Sequence, residues 1–218
     1  MVKRLIKNNV EKLKAEQKNA QLSRKMLNAV DIIALFTGDL DSSIHGRQMQ
    51  RMLNIPQRTV VDKLKNLSES NVLKNRKKGA QKEYFLDKNN PAVMSLLIIA
   101  EEYKSVVFLS SDFKLGELFL KLRLNVNGSI IVFGSYARND QDKGSDLDIL
   151  ILGKFDKKMI ERIIGMYPIK VHTVGMPFSD FEAGLFKKEN FMLEVLKNHV
   201  IIKGTSDIID LFWRFYYG

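Results

Sequence analysis

Two aspartates stand two residues apart in the run Gly144-Ser145-Asp146-Leu147-Asp148-Ile149-Leu150, downstream of Gly134-Ser135-Tyr136-Ala137-Arg138. The second run follows an apolar strand expected at Ser129–Phe133. Side chains at i and i+2 of a strand share one face, so Asp146 and Asp148 are expected to converge on one point. Carboxylate oxygens so placed suit a hard divalent cation, Mg²⁺ or Mn²⁺. Gly134 permits close backbone approach at a tight turn. Ser135, opening a helix at Tyr136–Asn139, offers its hydroxyl and backbone amides to phosphate. Arg138 and Lys143 stand where they can neutralise the tail of a triphosphate. Together these residues spell metal-assisted phosphoryl or nucleotidyl transfer. Each also has a plainer use: Ser135 as a helix N-cap, Asp146 in a turn, Asp148 as a strand-end charge, Arg138 and Lys143 as solvated loop charges. Asp148 lies in an otherwise apolar run, where an unpaired buried carboxylate is costly, and this favours the metal-ligand reading.

As they stand, GSYARND and GSDLDIL resemble the nucleotidyltransferases of the DNA polymerase beta superfamily, in particular its small minimal nucleotidyltransferases. The resemblance covers roughly Leu115–Gly204. It implies a small mixed sheet with flanking helices, a nucleoside triphosphate (NTP) substrate and Mg²⁺. It also implies a third carboxylate on an adjacent strand, which completes the metal site and helps activate the attacking hydroxyl. The matching strand, expected at Pro168–Val174, has no acid between Ile169 and Val174. His172 stands where the aspartate belongs, and it is either a base or ligand or a polar residue at a strand edge. Lys170 on the same strand face repels a cation. Asp180 and Glu182, in the following helix, are the acids left to reach the site.

The elements that must position these residues follow from periodicity and punctuation. Helices are expected at Asp112–Leu124, Asp156–Gly165, Phe178–Leu185, Asn190–Asn198 and Thr205–Tyr217, with a strand at His199–Lys203. Pro91 opens an apolar helix running to about Leu109, and no Pro/Gly/Ser-rich linker precedes it. Domains are expected at 1–90 and 91–218, with 91–110 as the connecting helix.

Charge separates the same two parts. The chain has 218 residues and a net charge of +10; its first 90 residues hold 19 basic and 9 acidic side chains, and the remainder 16 of each. A basic module joined to a neutral one suggests a polyanion partner, although a solvated lysine-rich surface has the same composition. Within the basic part, helices are expected from Asn28 to near Gly38, from Ile44 to Leu53 with Met49, Met52 and Leu53 inward, and from Gln57 to Glu69 with Val60, Val61, Leu64 and Leu67 inward. A β-hairpin follows, Val72–Lys74 and Lys82–Leu86 around a turn at Lys77–Ala80. This order resembles a winged helix-turn-helix, whose second helix enters the major groove. On that helix Gln57, Arg58, Thr59, Asp62, Lys63 and Asn66 face outward, with Gln57 and Arg58 suited to base edges and Thr59 and Lys63 to phosphates. Lys74, Arg76, Lys77 and Lys78 on the wing suit phosphate or minor-groove contact. The alternative use of such a domain is protein contact or dimerisation. A first helix at about Lys3–Lys18 would pack on its own domain or on a dimer partner.

The fold class expected is therefore α+β: an N-terminal winged helix-turn-helix followed by a polymerase-beta-like nucleotidyltransferase domain. The absence of cysteine excludes disulfides and Cys-based zinc sites. No signal peptide is read, and the longest apolar stretch, Val93–Ala100, is too short to span a bilayer, so a cytoplasmic protein without a membrane partner is expected. Two functions compete. One is a nucleotidyltransferase with a protein, nucleic-acid or small-molecule acceptor, coupled to double-stranded DNA binding. The other is a DNA-binding transcriptional regulator with a nucleotide-sensing or inactive domain, antitoxin-like if paired with a small helical toxin. Two-fold DNA sites suit a homodimer.

Overall fold

The computed structural model describes residues 29–79, 81–142 and 144–218, so the helix expected at 3–18 and Lys143 lie outside the described residues. The chain divides into two compact units. One holds residues 29–33 and Ser42–Val93; the other holds Ala34–Asp41 and Met94–Gly218.

Among the described residues, the first unit is built from three helices and a small sheet. Helix α1 spans Val30–Ala34, shorter than the expected run to Gly38, and strand β1 is Ile44–His45. Helices α2 (Gly46–Leu53) and α3 (Gln57–Glu69) are followed by strands β2 (Leu73–Lys78) and β3 (Gln81–Leu86). The strands form an antiparallel sheet in the order β1-β3-β2, with Ile44 opposite Tyr84 and Lys78 opposite Gln81. Ile44 was expected to be helical; His45 instead takes an extended N-cap conformation (φ −77°, ψ 144°) and the helix begins at Gly46. On α3 the buried positions are Val60, Leu64 and Leu67. Val61 is 53% and Met52 54% exposed, against expectation. Both lie off the apolar stripe of their helices: Val61 is about 100° from Val60, and Met52 falls on the far side of Met49 from Leu53.

The second unit is a four-stranded sheet wrapped by helices. Its elements are α4 (Ala92–Ser111), α5 (Phe113–Asn125), β4 (Val126–Phe133), α6 (Gly134–Arg138), β5 (Leu147–Phe155), α7 (Lys157–Ile164), β6 (Val171–Met176), α8 (Phe178–Phe186), α9 (Asn190–Lys197), β7 (His199–Lys203) and α10 (Thr205–Tyr217). Strand order is β6-β5-β4-β7; β4 runs antiparallel to β5 and β7, and β6 is parallel to β5. Asp112 and Asp156 cap α5 and α7 through their carboxylates, which accept from backbone N–H groups of the first turn. Leu118, Phe119 and Leu122 of α5 pack with Ile130, Val132, Ile149, Ile151, Ile160 and Ile163 in one core. Ile131, Leu150 and Leu152, pointing to the other face by alternation, are buried too. The mixed α/β architecture with small sheets fits a polymerase-beta-like domain.

A buried polar group joins α4 to β7. Glu101 and His199 are both inaccessible; the His199 ring reaches Glu101 Oε1 through Nε2 (3.2 Å) and the carbonyls of Val195 and Leu196 through Nδ1 (3.0 and 2.9 Å). Lys104 donates to the same Glu101 oxygen at 2.7 Å and to Thr37 at 3.1 Å. Burial works to raise the Glu101 pKa, but the His199 ring and the Lys104 ammonium overcome it and hold the carboxyl at about 2. Tyr217 at the end of α10 donates to the Leu40 carbonyl (2.5 Å), which ties Ala34–Asp41 to this unit.

Candidate functional site

The turn between β4 and α6 places a glycine where any side chain would be strained. Gly134 has φ +70°, a left-handed conformation that side chains disfavour. A Cβ there would lie 2.4 Å from Asp148 Oδ2. The strand pairing explains the contact, since Asp148 of β5 is directly opposite Phe133 of β4. Ser135 follows in the first turn of α6. The N-cap position belongs to Phe133, so Ser135 is not the cap, and its hydroxyl has no partner among the described residues.

Asp146 lies immediately before β5, because the strand begins at Leu147. It reaches its place through a tight turn: Asp142 Oδ1 accepts from the Gly144 N–H (2.9 Å) and the Ser145 hydroxyl (3.0 Å). The Gly144 amide chiefly, with Ser145 assisting, holds the Asp142 carboxyl below its usual range. This turn escaped the sequence reading, although Asp-x-Gly-Ser carries the signal for it. One Asp146 oxygen, Oδ1, is buried and has no hydrogen-bond partner. The other accepts from the Lys170 ammonium at 2.8 Å.

Strand β6 spans Val171–Met176 rather than Pro168–Val174, so Lys170 precedes it. Its carbonyl accepts from the Leu147 N–H at 2.8 Å, which sets the start of the parallel pairing. His172 stands opposite Asp148 in register, with Nδ1 3.2 Å from Asp148 Oδ1. Lys170 and His172 thus address the two aspartates one each. Glu182 pairs with Arg214, and Asp180 accepts from Ser179, so neither supplies a third acid. Among the described residues, no three Asp, Glu, His or Cys side chains gather into a cluster able to hold a metal ion. Arg138 extends from α6 to Asp140 (3.0 Å) and Glu194 (3.5 Å), and these carboxylates, Asp140 first, raise its pKa.

What the donor set can hold follows from its atoms. Asp146 Oδ1 is an orphaned buried oxygen, and Asp148 Oδ2 is packed against the Gly134 backbone with no hydrogen bond to it. Two such oxygens fit a hard cation with oxygen ligands. The Lys170 ammonium is a positive charge already bonded to the same carboxylate.

In the first unit, Gln57 and Arg58 are exposed at the start of α3 and Thr59 is half-buried. Lys63 is committed to Asp31 (2.7 Å). On the hairpin, Arg76 (3.2 Å) and Lys78 (2.9 Å) both pair with buried Glu83, and Lys74 pairs with Asp87 (2.9 Å). Lys78, ahead of Arg76, lowers the Glu83 pKa. Lys77 has no acidic partner among the described residues and is exposed. Three of the hairpin's cations, Lys74, Arg76 and Lys78, are thus engaged by two acids, Glu83 and Asp87, while the segment keeps a net positive charge.

Comparison with known proteins bears on the second unit. The Nucleotidyltransferase domain family model matches residues 115–210, which span α5 to α10 and contain every residue of the Gly-Ser turn and both aspartates. A Methanocaldococcus jannaschii protein named as a candidate protein adenylyltransferase is 34% identical over 91 residues. The match covers 39% of this chain and 64% of that relative, so the chain spans less than two thirds of its length. No solved structure matches. No helix among the described residues is long and apolar enough to cross a membrane.

Proposed function

We propose that this protein transfers a nucleoside monophosphate from an NTP to an acceptor hydroxyl, releasing pyrophosphate. The observation that carries the reading is the Gly134–Asp148 contact, which packs a carboxylate against a glycine turn inside a domain matched by the nucleotidyltransferase family. Asp146 and Asp148 would hold Mg²⁺, or Mn²⁺, which supplies charge neutralisation at the phosphates. The chain's own residues do the rest. Gly134 admits the phosphates close to the backbone, and the Ser135 hydroxyl and adjacent amides bind them. Arg138 and Lys143 neutralise the outer phosphates. His172, bonded to Asp148, takes the proton of the acceptor hydroxyl at its ring nitrogen. Because the relative is named for adenylyl transfer to protein, ATP and a protein side-chain hydroxyl are the first donor and acceptor to try.

In the same reading the first unit is a winged helix-turn-helix that binds double-stranded DNA. Helix α3 would lie in the major groove, with Gln57 and Arg58 at base edges and Thr59 at phosphate. Lys77 would be the wing's freest cation, while Lys63, Arg76 and Lys78 stiffen the surface through their acids. The rival reading is a transcriptional regulator, antitoxin-like if it has a toxin partner, whose second unit senses nucleotide without turnover. It draws on the Lys170–Asp146 pair and on the lack, among the described residues, of a third acid beside the aspartates. Incubation with α-labelled ATP and Mg²⁺ separates them. Label transferred to protein by the wild type and not by Asp148→Asn supports the enzyme; nucleotide bound but never transferred to any acceptor class supports the regulator.

A further inference from the structure

The outer face of α5 is the most exposed apolar surface of the second unit. Phe113 is 84%, Leu120 62% and Leu124 81% exposed, while Leu115, Leu118, Phe119 and Leu122 of the same helix fill the core. At about 100° per residue the three exposed side chains fall within about 40° of one another, forming a narrow stripe along the helix. One flank of the stripe carries Glu117 and Lys121, whose charged atoms are 3.3 Å apart. Three large apolar side chains aligned in this way mark an interaction surface rather than a solvated one.

The arrangement of charge indicates what covers it. The midpoints of residues 113 and 124 (118.5) and of residues 117 and 121 (119) lie half a residue apart, about 0.8 Å along the helix, with Leu120 one to one and a half residues beyond them. We infer that α5 pairs antiparallel with α5 of a second copy of this chain about a two-fold axis passing between residues 118 and 120. Phe113 then meets Leu124 of the second copy, and the two Leu120 side chains pack on either side of the axis. An axis perpendicular to both helices brings like flanks together, so Glu117 of each copy faces Lys121 of the other. The stripe is thereby complementary to itself in shape and in charge. The outer face of α4 also exposes Ile99, Tyr103, Val106 and Val107, but Glu102 on it is engaged by Thr205 (2.5 Å) and no opposite charge answers it there. This inference stands apart from the catalytic reading and does not depend on it.

Sedimentation of the full chain over a concentration series, from micromolar to hundreds of micromolar, tests it. The wild type is expected to pass from monomer to dimer, and Leu120→Arg to stay monomeric with an unchanged thermal melt. Glu117→Lys and Lys121→Glu, each alone, place like charges opposite one another and weaken self-association by about tenfold. An equal mixture of those two variants regains wild-type affinity, because every flanking contact in the mixed dimer is between opposite charges. Loss of the pair within one helix cannot produce that recovery, since each variant chain keeps its own like charges. A wild type that stays monomeric throughout overturns the inference. So does a dimer that Leu120→Arg leaves intact, or a mixture that associates no better than its components.

Discussion

Replacing Gly134 by alanine isolates the contact on which the account of the site rests. The left-handed backbone at φ +70° costs an alanine about 1–2 kcal/mol. The new Cβ would also meet Asp148 Oδ2 at 2.4 Å. That oxygen is the end of a side chain and can swing aside, which limits the steric part to about 1 kcal/mol. The sum, about 2–3 kcal/mol, is read by urea denaturation of the full chain. Two other glycines calibrate it. Gly79 has φ +62° with nothing near its absent Cβ, so Gly79→Ala loses only the backbone part, about 1–2 kcal/mol. Gly144 has no positive φ, and its nearest neighbour is at 3.6 Å, so Gly144→Ala stays within about 0.5 kcal/mol of wild type. Binding discriminates further. Because the carboxylate must move, Gly134→Ala loses Mg²⁺-dependent nucleotide binding in calorimetry while Gly79→Ala and Gly144→Ala keep it. A Gly134→Ala protein as stable as Gly79→Ala that still binds nucleotide would refute the reasoning.

Other consequences are open to direct measurement. Lys170→Met removes the cation bonded to Asp146, so Mg²⁺ should bind more tightly in a metal titration; unchanged or weaker affinity contradicts competition between the two. Glu101 is held at about 2, below its ordinary 4.5, so its share of stability is complete above pH 4.5 and is lost as the pH falls through about 2. Denaturation followed between pH 5 and 2 should show that loss, and Glu101→Gln should flatten it while costing about 3 kcal/mol at neutral pH, because the His199 ring and the Lys104 ammonium lose their carboxylate partner. A level wild-type profile across that interval contradicts the assignment. Arg58→Ala should weaken and broaden DNA recognition, and Lys77→Ala should lower the slope of log affinity against log salt by about one. Asp146→Asn should leave both DNA measurements unchanged.

Where neighbours in sequence settle an element, reading the chain sufficed. Strand His199–Lys203 and helix Thr205–Tyr217 stand where periodicity put them, because Gly204 (φ +84°) separates a short apolar run from an amphipathic one. The helices expected from Asp112 and Asp156 begin one residue later, with those aspartates as the caps of α5 and α7. What was not legible depends on distant partners. The two-residue strand Ile44–His45 exists only because Tyr84 and Glu83 pair with it. The start of β6 at Val171 is set by the bond from Leu147 to the Lys170 carbonyl, and nothing local to Pro168–Lys170 encodes it. The same holds at the site. Spacing brought Gly134, Asp146 and Asp148 to attention, and in-register pairing is what places His172 on Asp148. That Lys170 would bond Asp146, rather than merely repel a cation near it, required the register of two parallel strands. Counting charge on the hairpin overstated its free cations, because Glu83 lies opposite Arg76 across the ladder and draws Lys78 as well.

A nucleotide site built on the paired aspartates can be tested without knowledge of the acceptor. Calorimetric titration of Mg²⁺ with ATP into wild-type protein and into Asp146→Asn does so. The account predicts metal-dependent binding to the wild type that the substitution abolishes. Equal binding by both proteins, or none by the wild type, would contradict it.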